Sequence, residues 1–286
     1  MGSFFGHALP GTFFYMFGVW QLVNAFYYFI KYNGSQNNNS KKFLLAHSLR
    51  CCCSNNHKPL EGIVKLACCT IGMSVECLGF FWGIPAMYQH FTMYAFFGFA
   101  GLVDILLHYN FSIPEKFDYC IHALSFYVEG MLFAFHVHGR TSLDVVLHVL
   151  LVYVCYFSAL VVILILMMIF NKPLIFKVLY SLSLLIQGSW FWQVASILYP
   201  IIQPSKWCET CHGDVMNATM IFCWHIFLNA LFAIILYSIL NRVIKTVETK
   251  ASTRYEHMKN DQDFDIEEQS TEQLLKPKMF NNESLL

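Results

Sequence analysis

Seven windows of predominantly apolar residues follow one another along the chain, at Ala8–Ile30, Gly62–Phe81, His90–His108, Phe117–His136, Leu143–Phe170, Leu174–Tyr199 and Asn217–Leu240. A hydrocarbon layer about 30 Å thick is crossed by roughly 20 residues of helix. Inside it, each peptide group must be bonded within its own helix or within a closed barrel. The windows are long and lack strand-like alternation, so they predict an all-α integral membrane protein with seven transmembrane helices. The polar intervals set the remaining organisation. Residues 1–244 form the transmembrane domain, with connecting loops at 31–61 and 200–216. Residues 245–286 form a polar tail without apolar periodicity, expected to be disordered.

Composition agrees: 57% of the 286 residues are hydrophobic and only 13% are charged, with a mean hydropathy of +0.49. This is the balance of a chain whose partners are membrane lipids, and it offers no basic surface for nucleic acid. The zero formal net charge conceals an asymmetry. With the N-terminus outside, sixteen of the eighteen Lys and Arg residues fall on the inner side, against Arg140 and Lys206. The excess of inner cations predicts an outer N-terminus and a cytosolic C-terminus. It leaves open whether the membrane is an endomembrane such as the Golgi or the plasma membrane. The first window has no basic flank and no small-residue cleavage pattern, so it reads as a retained helix. The sequons at Asn33 and Asn38 then face the cytosol and stay unused.

The eleven cysteines are mostly dispersed through the helices as small apolar residues. Cys51, Cys52 and Cys53 form a cytosolic cluster suited either to palmitoylation or to remaining free. Cys208 and Cys211 lie in the outer loop and precede His212 in a C-x-x-C-H string. A local disulfide or two free thiols is favoured there over haem attachment, since nothing else suggests electron transfer.

Ionisable residues inside the apolar windows are expensive there and therefore mark function. Glu76 lies near the outer end of the second window. His90, Asp104 and His108 share one face of the third, because separations of 14 and 18 residues return close to the same direction at about 100° per residue. His122, Glu129 and His136 recur every seventh residue of the fourth. Packing the third and fourth helices together predicts an inner cluster of Asp104, His108 and His122, and an outer one containing His90 and His136. Glu129 lies between them, expected to be neutral or bonded to a histidine. Arg140 can pair with Asp144, which is one turn from His148. His7 sits at the outer edge of the first helix and His225 in the outer part of the last.

Depth bookkeeping thus gathers His7, Glu76, His90, His136, Asp144, His148 and His225 toward the outer leaflet, with His138 nearby but pointing away from His136. Imidazole and carboxylate suit zinc or iron. His90, His136, His148, His225 and Asp144 are the candidate ligands, and Glu76 the candidate base for a metal-bound water. That chemistry belongs to a metal-dependent, lipid-active membrane enzyme. The competing class is a non-enzymatic trafficking or interaction protein whose polar groups join helices. A proton-coupled transporter would require a polar path through Glu129 to the inner cluster.

The strings Gly6-His-Ala-Leu-Pro-Gly-Thr-Phe-Phe14, His90-Phe-Thr-Met-Tyr94, His138-Gly-Arg140 with Leu143-Asp144, Gln187-Gly-Ser-Trp-Phe191 and Cys223-Trp-His225 resemble the transmembrane protein 45 family, and most closely its transmembrane epididymal branch. The resemblance spans residues 6 to about 240. It implies a multi-pass membrane protein and carries no established activity or catalytic residues. Receptor signalling is disfavoured, because the third helix ends in Ile-Leu-Leu-His-Tyr rather than an Asp-Arg-Tyr-like motif and the last contains no proline.

Overall fold

The computed structural model describes residues 3–33, 59–81, 85–114, 117–167, 173–201 and 207–275. Cys51 to Cys53, Asn38 and Lys206 lie outside the described residues. Seven helices are present among those described: α1 (Phe4–Asn33), α2 (Leu60–Phe81), α3 (Pro85–His108), α4 (Phe117–His136), α5 (Ser142–Met167), α6 (Pro173–Leu198) and α7 (His212–Leu275). The all-α architecture is as expected. Among the described residues, five helices are long and apolar enough to cross a membrane, over Phe4–Lys31, Met87–His108, Ser142–Ile163, Leu174–Leu198 and His212–Lys250. The apolar runs of α2 and α4 are interrupted by Glu61, Lys65 and Glu76, and by Asp118, His122 and Glu129. Those side chains are turned into the protein, where they find partners.

The chain divides into two compact units, Met1–Ser238 and Ile239–Leu286. In the first, helices pack in the order α2, α3, α4, α5, α6, α1, and a lighter contact between α1 and α2 closes the ring. In the second, the helix continues to Leu275, through part of the tail expected to be disordered. No Gly or Pro occurs between Asp214 and Lys276, so nothing in the backbone chemistry ends the helix earlier.

Burial explains how the ring is held. Leu147, Leu151 and Cys155 of α5 pack against Trp190 and Val194 of α6, and Phe222 of α7 joins them. The indole N–H of Trp190 donates to the Leu147 carbonyl at 3.0 Å, satisfying the one polar atom of a fully buried ring. A second core joins Phe126, Val162, Tyr180 and Leu184. The outward residues Met220, Trp224, Phe227, Leu231 and Ile234 of α7 are exposed, as befits a face in contact with lipid rather than water.

The tightest approach is between α1 and α6. A Cβ on Gly188 would lie 2.5 Å from the Tyr15 nitrogen and 2.7 Å from the Gly11 carbonyl oxygen, both backbone atoms that cannot move aside. Small residues are what permit such contact between membrane helices. Gly188→Leu is expected to separate α1 from α6 and destabilise the bundle by at least about 1–3 kcal/mol, the usual range for overpacking. A lower midpoint in thermal unfolding of detergent-purified protein would show this, and an unchanged midpoint would contradict the packing.

Candidate functional site

The cluster expected toward the outer leaflet is assembled at the ends of four helices. His7 of α1, His90 of α3, His136 of α4 and His148 of α5 form a closed circuit, with successive ring centroids 6.3, 6.2, 5.4 and 5.6 Å apart. Glu76 of α2 joins through Oε1, 3.1 Å from His90 Nδ1. The expected gathering of His7, Glu76, His90, His136, Asp144 and His148 is therefore what the structure brings together.

The hydrogen bonds fix which nitrogen carries each proton. A guanidinium only donates, and Arg140 donates through one terminal nitrogen to His136 Nε2 at 2.5 Å and through the other to Asp144 Oδ2 at 2.6 Å. His136 must accept at Nε2, so its proton is on Nδ1, which donates to Gln89 Oε1. Gly139, with φ of 76°, supplies the left-handed turn that carries Arg140 back beneath α4. Burial works against the Arg140 charge, but Asp144 and Tyr199 outweigh it and hold the guanidinium above its usual range. It remains cationic throughout the working pH range. With Nε2 covered by a cation, His136 is poorly placed as a metal ligand.

His7 and His148 behave differently. His7 Nδ1 faces the Ser3 carbonyl at 3.1 Å, and His148 Nδ1 faces the Asp144 carbonyl at 2.9 Å and its Oδ1 at 2.7 Å. Each proton is thus spent on an oxygen. The two Nε2 atoms then confront one another at 3.4 Å. Two lone pairs do not face each other stably at that distance, so the pair demands a shared proton or a metal ion. Two zinc-bound imidazole nitrogens on a tetrahedral centre lie roughly 3.3–3.4 Å apart, given Zn–N bonds of about 2.0–2.1 Å. Among the described residues, however, no three His, Cys, Asp or Glu side chains converge closely enough to hold a metal.

His225, named with this group from its depth, is placed elsewhere. Its Nδ1 lies 3.0 Å from Ser189 Oγ, and its ring meets the edge of Trp190 at 5.4 Å. Depth along a helix carries no information about which neighbour that helix packs on, and α7 sits against α6. His138 is exposed and stacked on Phe135, pointing away from His136 as its position implied. Cys208 and Cys211 form a disulfide, the first of the two forms expected for that pair.

Midway along the bundle, Glu129 Oε2 accepts from the Gln187 amide at 2.8 Å. Its partners are this amide and the Cys155 thiol, which fits the first alternative, a neutral group, rather than a bond to histidine.

The inner cluster differs most from expectation. Lys65 of α2 donates to Glu61 Oε1 at 2.7 Å, to Asp104 Oδ2 at 3.0 Å and to His122 Nε2 at 2.8 Å. Gln21 of α1 also donates to Glu61 Oε1, at 2.7 Å. His122 Nδ1 faces the Asp118 carbonyl at 2.8 Å, so His122 is neutral and accepts from the lysine. Asp104 and His122 meet as expected. His108 lies one turn beyond Asp104 and packs on Tyr109 instead. Lys65 and Glu61 escaped notice because a lysine near the start of an apolar window reads as an ordinary flanking charge. The i, i+4 pairing of Glu61 with Lys65 was the available signal.

Between the two clusters lies an open-mouthed cavity of about 90 Å³. His7 and His90 line one end and Glu61, Lys65 and His122 the other. The wall between is chiefly aromatic, from Phe14, Phe17, Phe97 and Phe126, with Glu129 set into it.

Removing one partner of a buried ion pair leaves the other charge uncompensated, at a cost of about 3–5 kcal/mol. Lys65→Met is therefore expected to destabilise the bundle by about that amount. The triple variant Lys65→Met, Glu61→Gln, Asp104→Asn should recover most of the loss. Comparison of unfolding midpoints checks both, and a Lys65→Met protein as stable as wild type would show that the pairing is not formed.

Residues 115–238 match a family described only as a family of unknown function, DUF716. The match covers α4 to α6 and much of α7, with Glu129, His136, Asp144 and His148, and leaves out α1 to α3. Over 261 residues the chain is 26% identical to the mouse (Mus musculus) transmembrane epididymal protein 1A, covering 84% of this chain and 81% of that one. It is 24% identical to the rat (Rattus norvegicus) transmembrane epididymal protein 1 over 253 residues, with the same coverage. The human (Homo sapiens) transmembrane epididymal protein 1 is 26% identical over 163 residues, or 54% of this chain and 56% of that protein. The resemblance to the transmembrane epididymal branch is borne out by these relatives, and with its apolar helices the chain is an integral, multi-pass membrane protein similar to them.

Proposed function

We propose that this protein holds a single-chain lipid inside its helix bundle, with the aromatic cavity taking the chain. The cavity carries this reading. Small-molecule sites are mostly apolar with a few polar groups, and this one is apolar along its length and polar at its ends. The light seam between α1 and α2 offers a route from the bilayer. In this reading all seven helices span the membrane, with the N-terminus outside and the C-terminus in the cytosol. The distribution of cations supports that orientation, and so does the Cys208–Cys211 disulfide on the outer side, since disulfides persist in oxidising compartments.

The metal-dependent enzyme stands second and rests on the facing nitrogens of His7 and His148. Its ligands would be those two, with His90 as the nearest third imidazole and Glu76 beside it as base. His136 is covered by Arg140, and His225 is bonded to Ser189.

Two measurements separate these readings. A diazirine-bearing long-chain alcohol is expected to label peptides containing Phe14, Phe97 or Phe126 on irradiation, and excess oleyl alcohol should suppress the labelling. Labelling spread over the outward face of α7 without competition would sink the cavity reading. For the second reading, purified protein should carry about one zinc or iron per chain that disappears in His7→Ala/His148→Ala. Metal-free, folded wild type would dismiss it.

A further inference from the structure

The chemistry at the inner end of the cavity specifies the head of the ligand. Lys65 has three hydrogens, and Glu61, Asp104 and His122 take all three. It therefore has no donor left for an incoming anion. His122 adds no charge, since its one proton is spent on the Asp118 carbonyl. Two carboxyl groups thus share a single ammonium, and each keeps an oxygen without a partner. Glu61 Oε2 and Asp104 Oδ1 are both buried and accept no hydrogen bond. Glu61 is only 5% exposed and is part of the cavity lining. An orphaned, buried carboxylate oxygen on a cavity wall is an unmet demand for a donor, and the surplus of negative over positive groups favours a charged donor.

From this juxtaposition, and resting on the cavity reading above, we infer that the ligand is a long-chain amine, bound as its ammonium form with the head on Glu61 and the chain running outward among the phenylalanines. The rings at the neck of the chain suit a cation, because their faces carry negative potential. A fatty acid is the wrong ligand here, since its carboxylate would meet Glu61 with no free donor on Lys65. A neutral alcohol would fill the cavity and donate one hydrogen bond without relieving the charge.

Oleylamine, oleyl alcohol and oleic acid share one chain and differ only in the head. Their competition against tritiated oleylamine, on the full chain in lipid nanodiscs at neutral pH, isolates the inference. The amine is expected to bind at least about tenfold tighter than the alcohol, and the acid most weakly. Glu61→Gln should bring amine and alcohol to similar affinity. Equal binding of amine and alcohol to wild type would mean that a proton already neutralises Glu61, and would overturn the inference with the cavity reading standing. A preference for the acid would overturn it likewise. If no competitor displaces the label in wild type, the cavity reading falls as well. The comparison on wild type needs no variant to fold.

Discussion

Three hydrogens on one buried lysine nitrogen, each given to a different side chain, are the constraint around which this bundle closes. Lys65 and Glu61 belong to α2, Asp104 to α3 and His122 to α4, and Gln21 reaches the same carboxylate from α1. An ammonium in an apolar interior is tolerable only if every hydrogen is spoken for. That requirement fixes the mutual rotation of four helices more stringently than interchangeable apolar contacts do. The heavy packing of Leu and Val on α5 and α6 supplies bulk attraction, and the lysine supplies register.

The opposite end of the bundle applies the same rule with histidine. Arg140 has no acceptor capacity of its own, so it dictates the tautomer of His136, and that tautomer dictates the bond to Gln89. Only at His7 and His148 does the chain of assignments end with two acceptors and no donor between them. The molecule thus has polar termini of unlike character, one a lysine shared by two acids and the other a ring of imidazoles, joined by an aromatic passage.

Much of this was legible from residue types and helical spacing. His7, Glu76, His90, His136 and His148 could be placed at one depth because each lies near an end of an apolar window, and ends are what a hydropathy pattern locates well. Asp104 and His122 could be paired because consecutive antiparallel helices usually adjoin. Azimuth was the missing coordinate. His225 has the right depth but sits on a helix that packs against α6, and a sequence alone does not say which side of a bundle its last helix takes. Lys65 was obscured for a different reason, because long basic side chains at helix ends normally snorkel to the headgroups. A chain that instead folds one inward, against two acids, looks the same until the neighbouring helices are in place. Residues 245–275 show that strong polarity does not preclude helix when no glycine or proline interrupts it.

The ring of helices is unevenly joined. Five of its joints are broad, and the remaining one, between α1 and α2, is narrow and bridged by the bond from Gln21 to Glu61. Mechanically the bundle is a split collar, held closely at the glycine contact of α1 with α6 and bridged across its gap by the Gln21 amide. On the proposed reading, such a body would pass a guest sideways, through the joint where its helices touch least.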